Sequence, residues 1–308
     1  MQSHPRRGGP LRRLRRATRE PRNAVLAAGI RATKVVLGWL PLWLALAIGR
    51  GFGRLSYVLL GSRRRLALRQ LADALPELSP AERRGIVRRM FLHAGASFAE
   101  LAQWRRLRGT GYVQVEGLHV MEDALARGRG VIAVTGHVGN WELLAAEMAR
   151  LGYPVTVVAR RIRDRRFQAL VAELREAAGL QVLDRDSPDF VRDVRSGLDQ
   201  NRIVALLIDQ DTRGAGVWVP FLGRPARTPP GAAVLALRKR AAVVSIFIER
   251  RPEGGHRITL QPIEEVAGRG REDIVSLTAR MTEAIESQIR RNPVEWVWWH
   301  ERWRRQVQ

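Results

Sequence analysis

The chain has no cysteine, only two lysines (Lys34 and Lys239) and six histidines in 308 residues. The first absence excludes thiol catalysis, disulfides and thiolate metal sites. The histidines are scattered, and none forms an H-x3-H or HExxH spacing, so no zinc site is expected. Acidic residues are also scarce: 30 Asp and Glu stand against 53 Lys and Arg, a net charge of +23 carried almost wholly by arginine. Such an excess favours an acidic partner, meaning nucleic acid, an anionic membrane face or an acidic carrier. Arginine is the better residue for bidentate phosphate contacts. A GC-rich genome produces the same arginine bias, so charge alone leaves both causes open. Hydrophobic residues make up 45%, which marks a globular chain with a sizeable core.

Residues 1–23 hold eight arginines and three prolines and read as a disordered leader. Residues 24–62 read as an apolar, membrane-associating segment. Its centre, Val35 to Gly49, is shorter than the ~20 residues of a spanning helix, and Pro41 interrupts it. A tilted span, a helix lying in the interface, and a signal or buried core helix all remain open. The basic leader beside Trp39 and Trp43 places the N-terminus on the cytoplasmic side.

Residues 63–104 predict two helices, the second opened by Ser79-Pro80-Ala81-Glu82, a capping box with proline at the first helical position. Beyond Val113 strands and helices alternate. Strands are expected at Val131–Thr135, Val155–Ala159, Gln181–Leu183, Ile203–Ile208 and Val243–Glu249, with Arg257–Gln261 as a last edge strand. Helices are expected at Glu142–Leu151, Asp164–Ala178, Pro188–Asp199, Gly231–Arg240 and Ile274–Arg291. The fold class is therefore α/β, a mostly parallel central sheet flanked by helices, preceded by a helical membrane-anchoring region. Sites in such sheets lie at the C-terminal ends of strands.

One strand end carries chemistry. VIAVT is followed by Gly136-His137-Val138-Gly139-Asn140-Trp141-Glu142. The glycines allow a sharp turn, so His137 precedes a helix whose first turn holds Glu142. The pair then touch: Glu142 orients one imidazole nitrogen and leaves the other free as a base. A turn histidine followed by a helix-capping glutamate explains the same residues, and the spacing alone does not separate the two.

GHVGNWE after an apolar strand resembles the motif of the late acyltransferases of lipid A synthesis, the lauroyl/myristoyl family within the wider glycerolipid acyltransferase superfamily. Further blocks agree in order. Arg63–Leu78 resembles the early block, with Gln70 where asparagine is usual. Val158-Ala159-Arg160 resembles the second, Ile208-Asp209-Gln210 the third, and Val219–Ala226 the fourth. Pro293–Trp303 resembles the C-terminal aromatic signature. The likeness runs over residues 35–305, so residues 63–308 read as the acyltransferase domain.

The resemblance implies transfer of an acyl chain from acyl carrier protein to a hydroxyl of a phosphorylated glycolipid acceptor. It implies no metal and no cofactor, and a site on anionic lipid at the cytoplasmic face of the cell inner membrane. His137 is then the base. Backbone N–H groups of Gly139, Asn140 and Trp141 are candidates for the oxyanion. Arg160 follows a strand and reaches the same rim, to bind a phosphate, to steady the oxyanion, or simply as a surface arginine. Asp209, at a strand end, is expected to orient Arg160. Gln210 and Arg163 complete the candidate substrate-binding set, and Arg160 to Arg166 form a basic face suited to an acidic carrier. The tail tryptophans 296, 298, 299 and 303 read as an interfacial belt. The same motif serves other acceptors, a mannoside glycolipid or a lysophospholipid. A nucleic-acid-binding protein would spread its basic residues among aromatics without ordered blocks, so nucleic acid is not expected as a partner.

Overall fold

The computed structural model describes residue 24 and residues 27–160, 165–212 and 214–305. The leader, residues 1–23, and Arg163 lie outside these. Short runs rich in Val, Ile and Ala form the strands, as expected of a sheet buried on both faces. They are β1 (Val113–Glu116), β2 (Val131–Thr135), β3 (Val155–Ala159), β4 (Gln181–Asp184), β5 (Ile203–Leu207), β8 (Ala242–Arg250) and β9 (His256–Pro262). A separate hairpin, β6 (Val217–Phe221) and β7 (Arg224–Thr228), lies between them in the chain. The sheet order is β1-β9-β8-β2-β5-β3-β4, and only β8 and β9 pair antiparallel.

Arg257–Gln261 is therefore not an edge strand. β9 is interior, because β1 adds outside it. The VQVE run of β1 is too short to announce itself by period.

All five residues of β2 are buried, and they alternate between two cores. Ile132 and Val134 join α3 (Gly61–Ala74), α4 (Pro80–Ala102), α10 (Gly231–Lys239) and α11 (Arg271–Arg291). Val131 and Ala133 join α6 (Leu118–Ala126) and α7 (Trp141–Arg150). The capping box at α4 forms as expected: Ser79 Oγ accepts from Glu82 N–H, and the Glu82 carboxylate accepts from Ser79 N–H.

The apolar segment folds as α1 (residues 27–39) and α2 (Leu42–Leu59), broken at Pro41. α2 packs along α4 through small residues. A methyl group at Gly53 would lie 2.2 Å from Phe91 O, so the two backbones approach as closely as glycine permits. Arg50 and Arg54 interrupt the apolar run, and among the described residues no helix is long and apolar enough to cross a membrane. The opposite side of the segment exposes Val35, Val36, Trp39, Trp43, Phe52 and Leu55.

The tail tryptophans correct the reading of an interfacial belt. Trp296 and Trp298 are fully buried, and Trp299 and Trp303 pack against the same core. Gln70 on α3 is one of the groups that hold the tail inward. Its amide donates to Trp298 O (2.7 Å) and His300 O (2.6 Å) and accepts from Arg302 N–H (2.8 Å). Buried Arg302 donates in turn to Arg227 O and Thr228 Oγ1 and lies over the Phe221 ring.

Candidate active site

β2 and β5 are neighbours, in a register that sets Thr135 beside Leu207. Two residues further along each chain stand His137 and Asp209. The imidazole Nδ1 lies 2.8 Å from Asp209 Oδ1, and His137 backbone N–H donates to Oδ2 (2.7 Å). Trp296 Nε1–H donates to the same oxygen (2.8 Å). Burial of Asp209 opposes its charge, but His137 and the Trp296 donor outweigh it and hold the carboxyl at about 2. With Nδ1–H committed to this carboxylate, Nε2 keeps its lone pair. Gln210 Nε2 lies 3.1 Å from it, and the Trp141 ring meets the imidazole edge-on at 4.9 Å. His137 is the accessible member, with 22% of its side chain exposed against 0% for Asp209.

The turn requires glycine at position 139. Gly139 has φ +63°, and a methyl group there would lie 2.0 Å from Ile248 O. Its N–H donates to Glu295 O (3.0 Å), and Val138 bridges Trp296. The tail is thereby fixed beside the turn. It also removes Gly139 from the expected oxyanion donors, because its N–H is already used. Asn140 caps α7: its side-chain oxygen accepts from Leu143 N–H, and its amide donates to Ser97 O and Glu100. The amides of Trp141 and Glu142 open the helix, where N–H groups have no intrahelical acceptor and the dipole favours an anion.

Two expected contacts do not form. Glu142 does not reach His137. It takes a forked pair from Arg175 of α8 (Arg165–Ala177), at 2.6 and 3.1 Å. The helix begins at Trp141, which directs Glu142 sideways to α8 while His137 turns to β5. Asp209 does not orient Arg160. Arg160, with 61% of its side chain exposed, pairs with Asp186 at 2.8 Å, and Asp209 spends both oxygens on His137 and Trp296.

A second buried cluster was not anticipated from the sequence. Glu100 of α4 accepts from both Arg250 guanidinium ends (2.5 and 3.0 Å), from Tyr112 Oη (2.8 Å) and from the Asn140 amide (3.0 Å). Burial works against its charge, yet His256 and Arg250 keep the carboxyl well below the usual range. Nothing in the local sequence pairs residue 100 with residue 250; only the sheet brings them together.

Between α4, the turn and the tail lies a cavity of about 180 Å³. Its wall is mainly apolar, with Met90, Phe98, Leu101, Trp141, Val297 and Trp299, and it includes Glu295. Burial pushes the Glu295 carboxyl up to about 7. Between about pH 4.5 and 7 the folded chain thus holds a proton that the unfolded chain has lost, and stability falls as pH rises. The shift corresponds to roughly 3 kcal/mol. Glu295→Gln should remove this loss, so the variant should gain on the wild type across that window. Urea midpoints at pH 5 and pH 8 measure it, and a constant difference between the two proteins would refute the assignment.

The chain matches the family model of the bacterial lipid A biosynthesis acyltransferases over residues 13–305. It is 26% identical to the lipid A biosynthesis lauroyltransferase of Escherichia coli, over 83% of this chain and 84% of that protein. It is 27% identical to the lipid A biosynthesis myristoyltransferase of the same species, over 82% and 77%. It is also 26% identical to the phosphatidylinositol mannoside acyltransferase of Mycobacterium tuberculosis, over 59% of this chain. That last match spans little more than half the relative's length, 57%. This chain belongs to the bacterial lipid A biosynthesis acyltransferase family.

Proposed function

We propose that the protein is an O-acyltransferase that moves a fatty-acyl chain from acyl carrier protein to a hydroxyl of a lipid A-type glycolipid precursor. The observation that carries this reading is the His137–Asp209 pair, with Nε2 free of the carboxylate, beside an apolar cavity and a helix start. A hydroxyl is a poor nucleophile near neutral pH and needs a base. Its proton passes to Nε2 as its oxygen bonds to the thioester carbonyl carbon, and Asp209 stabilises the imidazolium. The oxyanion faces the Trp141 and Glu142 amides. When the C–S bond breaks, Nε2 returns the proton to the departing sulfur. Gln210 occupies Nε2 at rest and yields its place to the hydroxyl. Asn140 fixes the turn, and the Glu142–Arg175 pair ties α7 to α8.

The acceptor's phosphates and the carrier's acidic surface would meet arginines on the rim near Arg160. A mannoside glycolipid is the second reading of the acceptor, favoured by the similarity to the mannoside acyltransferase. Mass spectrometry of lipids from a deletion strain separates them: loss of one acyl chain from lipid A supports the first, loss from a mannoside the second. An unchanged lipid profile refutes both.

The exposed apolar side of α1 and α2, flanked by Arg50 and Arg54, would lie in the surface of an anionic membrane at its cytoplasmic face. Trp43→Ser with Leu55→Ser should weaken sedimentation with phosphatidylglycerol vesicles about tenfold or more, each side chain being worth on the order of 1.5–3 kcal/mol when buried. Undiminished sedimentation would place the contact elsewhere.

A further inference from the structure

Glu100 and Arg250 form a buried pair that the proposed reaction does not use. The Glu100 side chain is wholly buried, and that of Arg250 is 20% exposed. The pair joins α4 to the end of β8. Four donors converge on the carboxylate: both ends of the Arg250 fork, Tyr112 Oη and Asn140 Nδ2. An ionised carboxyl has no hydrogen to turn against them, so it accepts from all four.

Two of the connections end at the turn that carries His137. Asn140 Nδ2 donates to Glu100 Oε2 (3.0 Å) and to Ser97 O (3.2 Å), both on α4. The amide's oxygen is thereby left toward Leu143 N–H, the bond that caps α7. Trp141, the next residue, carries the first of the amides assigned to the oxyanion. The other connection runs through β8. Arg250 N–H donates to Glu295 Oε1 (3.0 Å), and Glu295 O accepts from Gly139 N–H (3.0 Å). Trp296, which follows Glu295, donates to Asp209. The partner of the base and the start of α7 are thus tied to one ion pair.

Stability alone is a poor account of that pair. The cost of burying two charges can match their attraction, and apolar residues of similar volume often serve the fold as well. Apolar residues give Asn140 no acceptor, so they cannot set its orientation. We infer that Glu100 and Arg250 are a positioning pair for acyl transfer, holding the start of α7 and the tail in the spacing that sets His137 against the oxyanion donors. The inference rests on the acyl-transfer reading for the step it serves. Glu100 acts through Asn140, and Arg250 acts through Glu100 and Glu295.

The test replaces both members with apolar residues, Glu100→Leu with Arg250→Met, in the full chain. Leu198→Ala, a fully buried position outside these bonds, is the control. Initial rates with an acyl carrier protein thioester give kcat and donor KM, and urea midpoints give stability. Hydrogen exchange at the Gly139 and Leu143 amides reports the turn, because both are bonded within it. The double variant should lose kcat about tenfold to a hundredfold, with donor KM within about threefold, while its urea midpoint stays near that of the wild type. The two amides should exchange about tenfold faster, and the amides of β2 should keep their rates. Leu198→Ala should lower the midpoint and leave kcat within about twofold. A folded double variant with kcat within about twofold of the wild type, or with unchanged exchange at the turn, overturns the inference. So does a loss of kcat that follows stability as steeply in Leu198→Ala. Should the double variant not fold by circular dichroism, Glu100→Gln decides on the same readouts. Its NH₂ must face two of the four donors, and kcat should fall severalfold. A turn loosened by the substitutions, in a protein whose wild type transfers no acyl group, upholds the pair as the holder of the turn and refutes the acyl-transfer reading. Transfer that depends on His137 but not on the pair does the reverse.

Discussion

Replacing His137 with alanine should lower acyl transfer by about 10²–10⁴ while the protein stays folded. The imidazole is partly exposed, is oriented by Asp209 and stands against Trp141 of the cavity wall, whereas the nearby Glu142 is tied up with Arg175. The fold should survive because the Asp209 carboxylate keeps two of its three donors, the backbone N–H of residue 137 and Trp296 Nε1. The lost hydrogen bond to a charged group costs about 1.5–3 kcal/mol of stability. Initial rates, with circular dichroism to confirm folding, check the result. A folded variant that keeps more than a few per cent of the wild-type rate would remove His137 from the mechanism.

Asp209→Asn should be comparably damaging, up to about 10⁴ by analogy with loss of the orienting carboxylate in a Ser-His-Asp triad. The amide oxygen would stay with the residue-137 N–H and Trp296 Nε1, which leaves the NH₂ group facing Nδ1. The ring must then accept at Nδ1 and carry its proton on Nε2, where the base is needed. Glu142→Gln only weakens a part-exposed pair with Arg175 and should cost less than about tenfold, in line with the modest worth of such pairs. Measuring kcat/KM for both variants distinguishes the two carboxylates. A larger loss for Glu142→Gln would restore the local H-x4-E pair as the working one.

That contrast shows where the sequence could be read and where it could not. The buried runs VIAVT, VTVVA and IVALLI located strands and strand ends within a residue or so, and His137 and Asp209 were both found at such ends. Their partnership was not legible. β2 and β5 are far apart in the chain, and no periodicity states that they are neighbours in register. A local reading therefore paired His137 with the nearest carboxylate, Glu142, and left Asp209 to Arg160. The tail failed for a related reason. A cluster of tryptophans beside arginines has the composition of a membrane interface. The tail is held inward instead by contacts distant in the chain, among them Gln70, more than two hundred residues away, and Asp209. The buried Glu100–Arg250 pair left no sequence signal at all, since single charged residues on α4 and β8 look like any solvated position.

The central claim, that this chain esterifies a lipid hydroxyl at His137, is tested most directly by the mass of the acceptor. Purified wild-type protein is incubated with an acyl carrier protein thioester and a purified lipid A precursor or phosphatidylinositol mannoside, and the lipid is weighed by mass spectrometry. One acceptor should gain a single acyl group, with an equal amount of free carrier thiol released, and His137→Ala should leave the acceptor's mass unchanged over the same time. Acyl gain at an undiminished rate in the variant, or no gain on either acceptor by the wild type, would contradict the account.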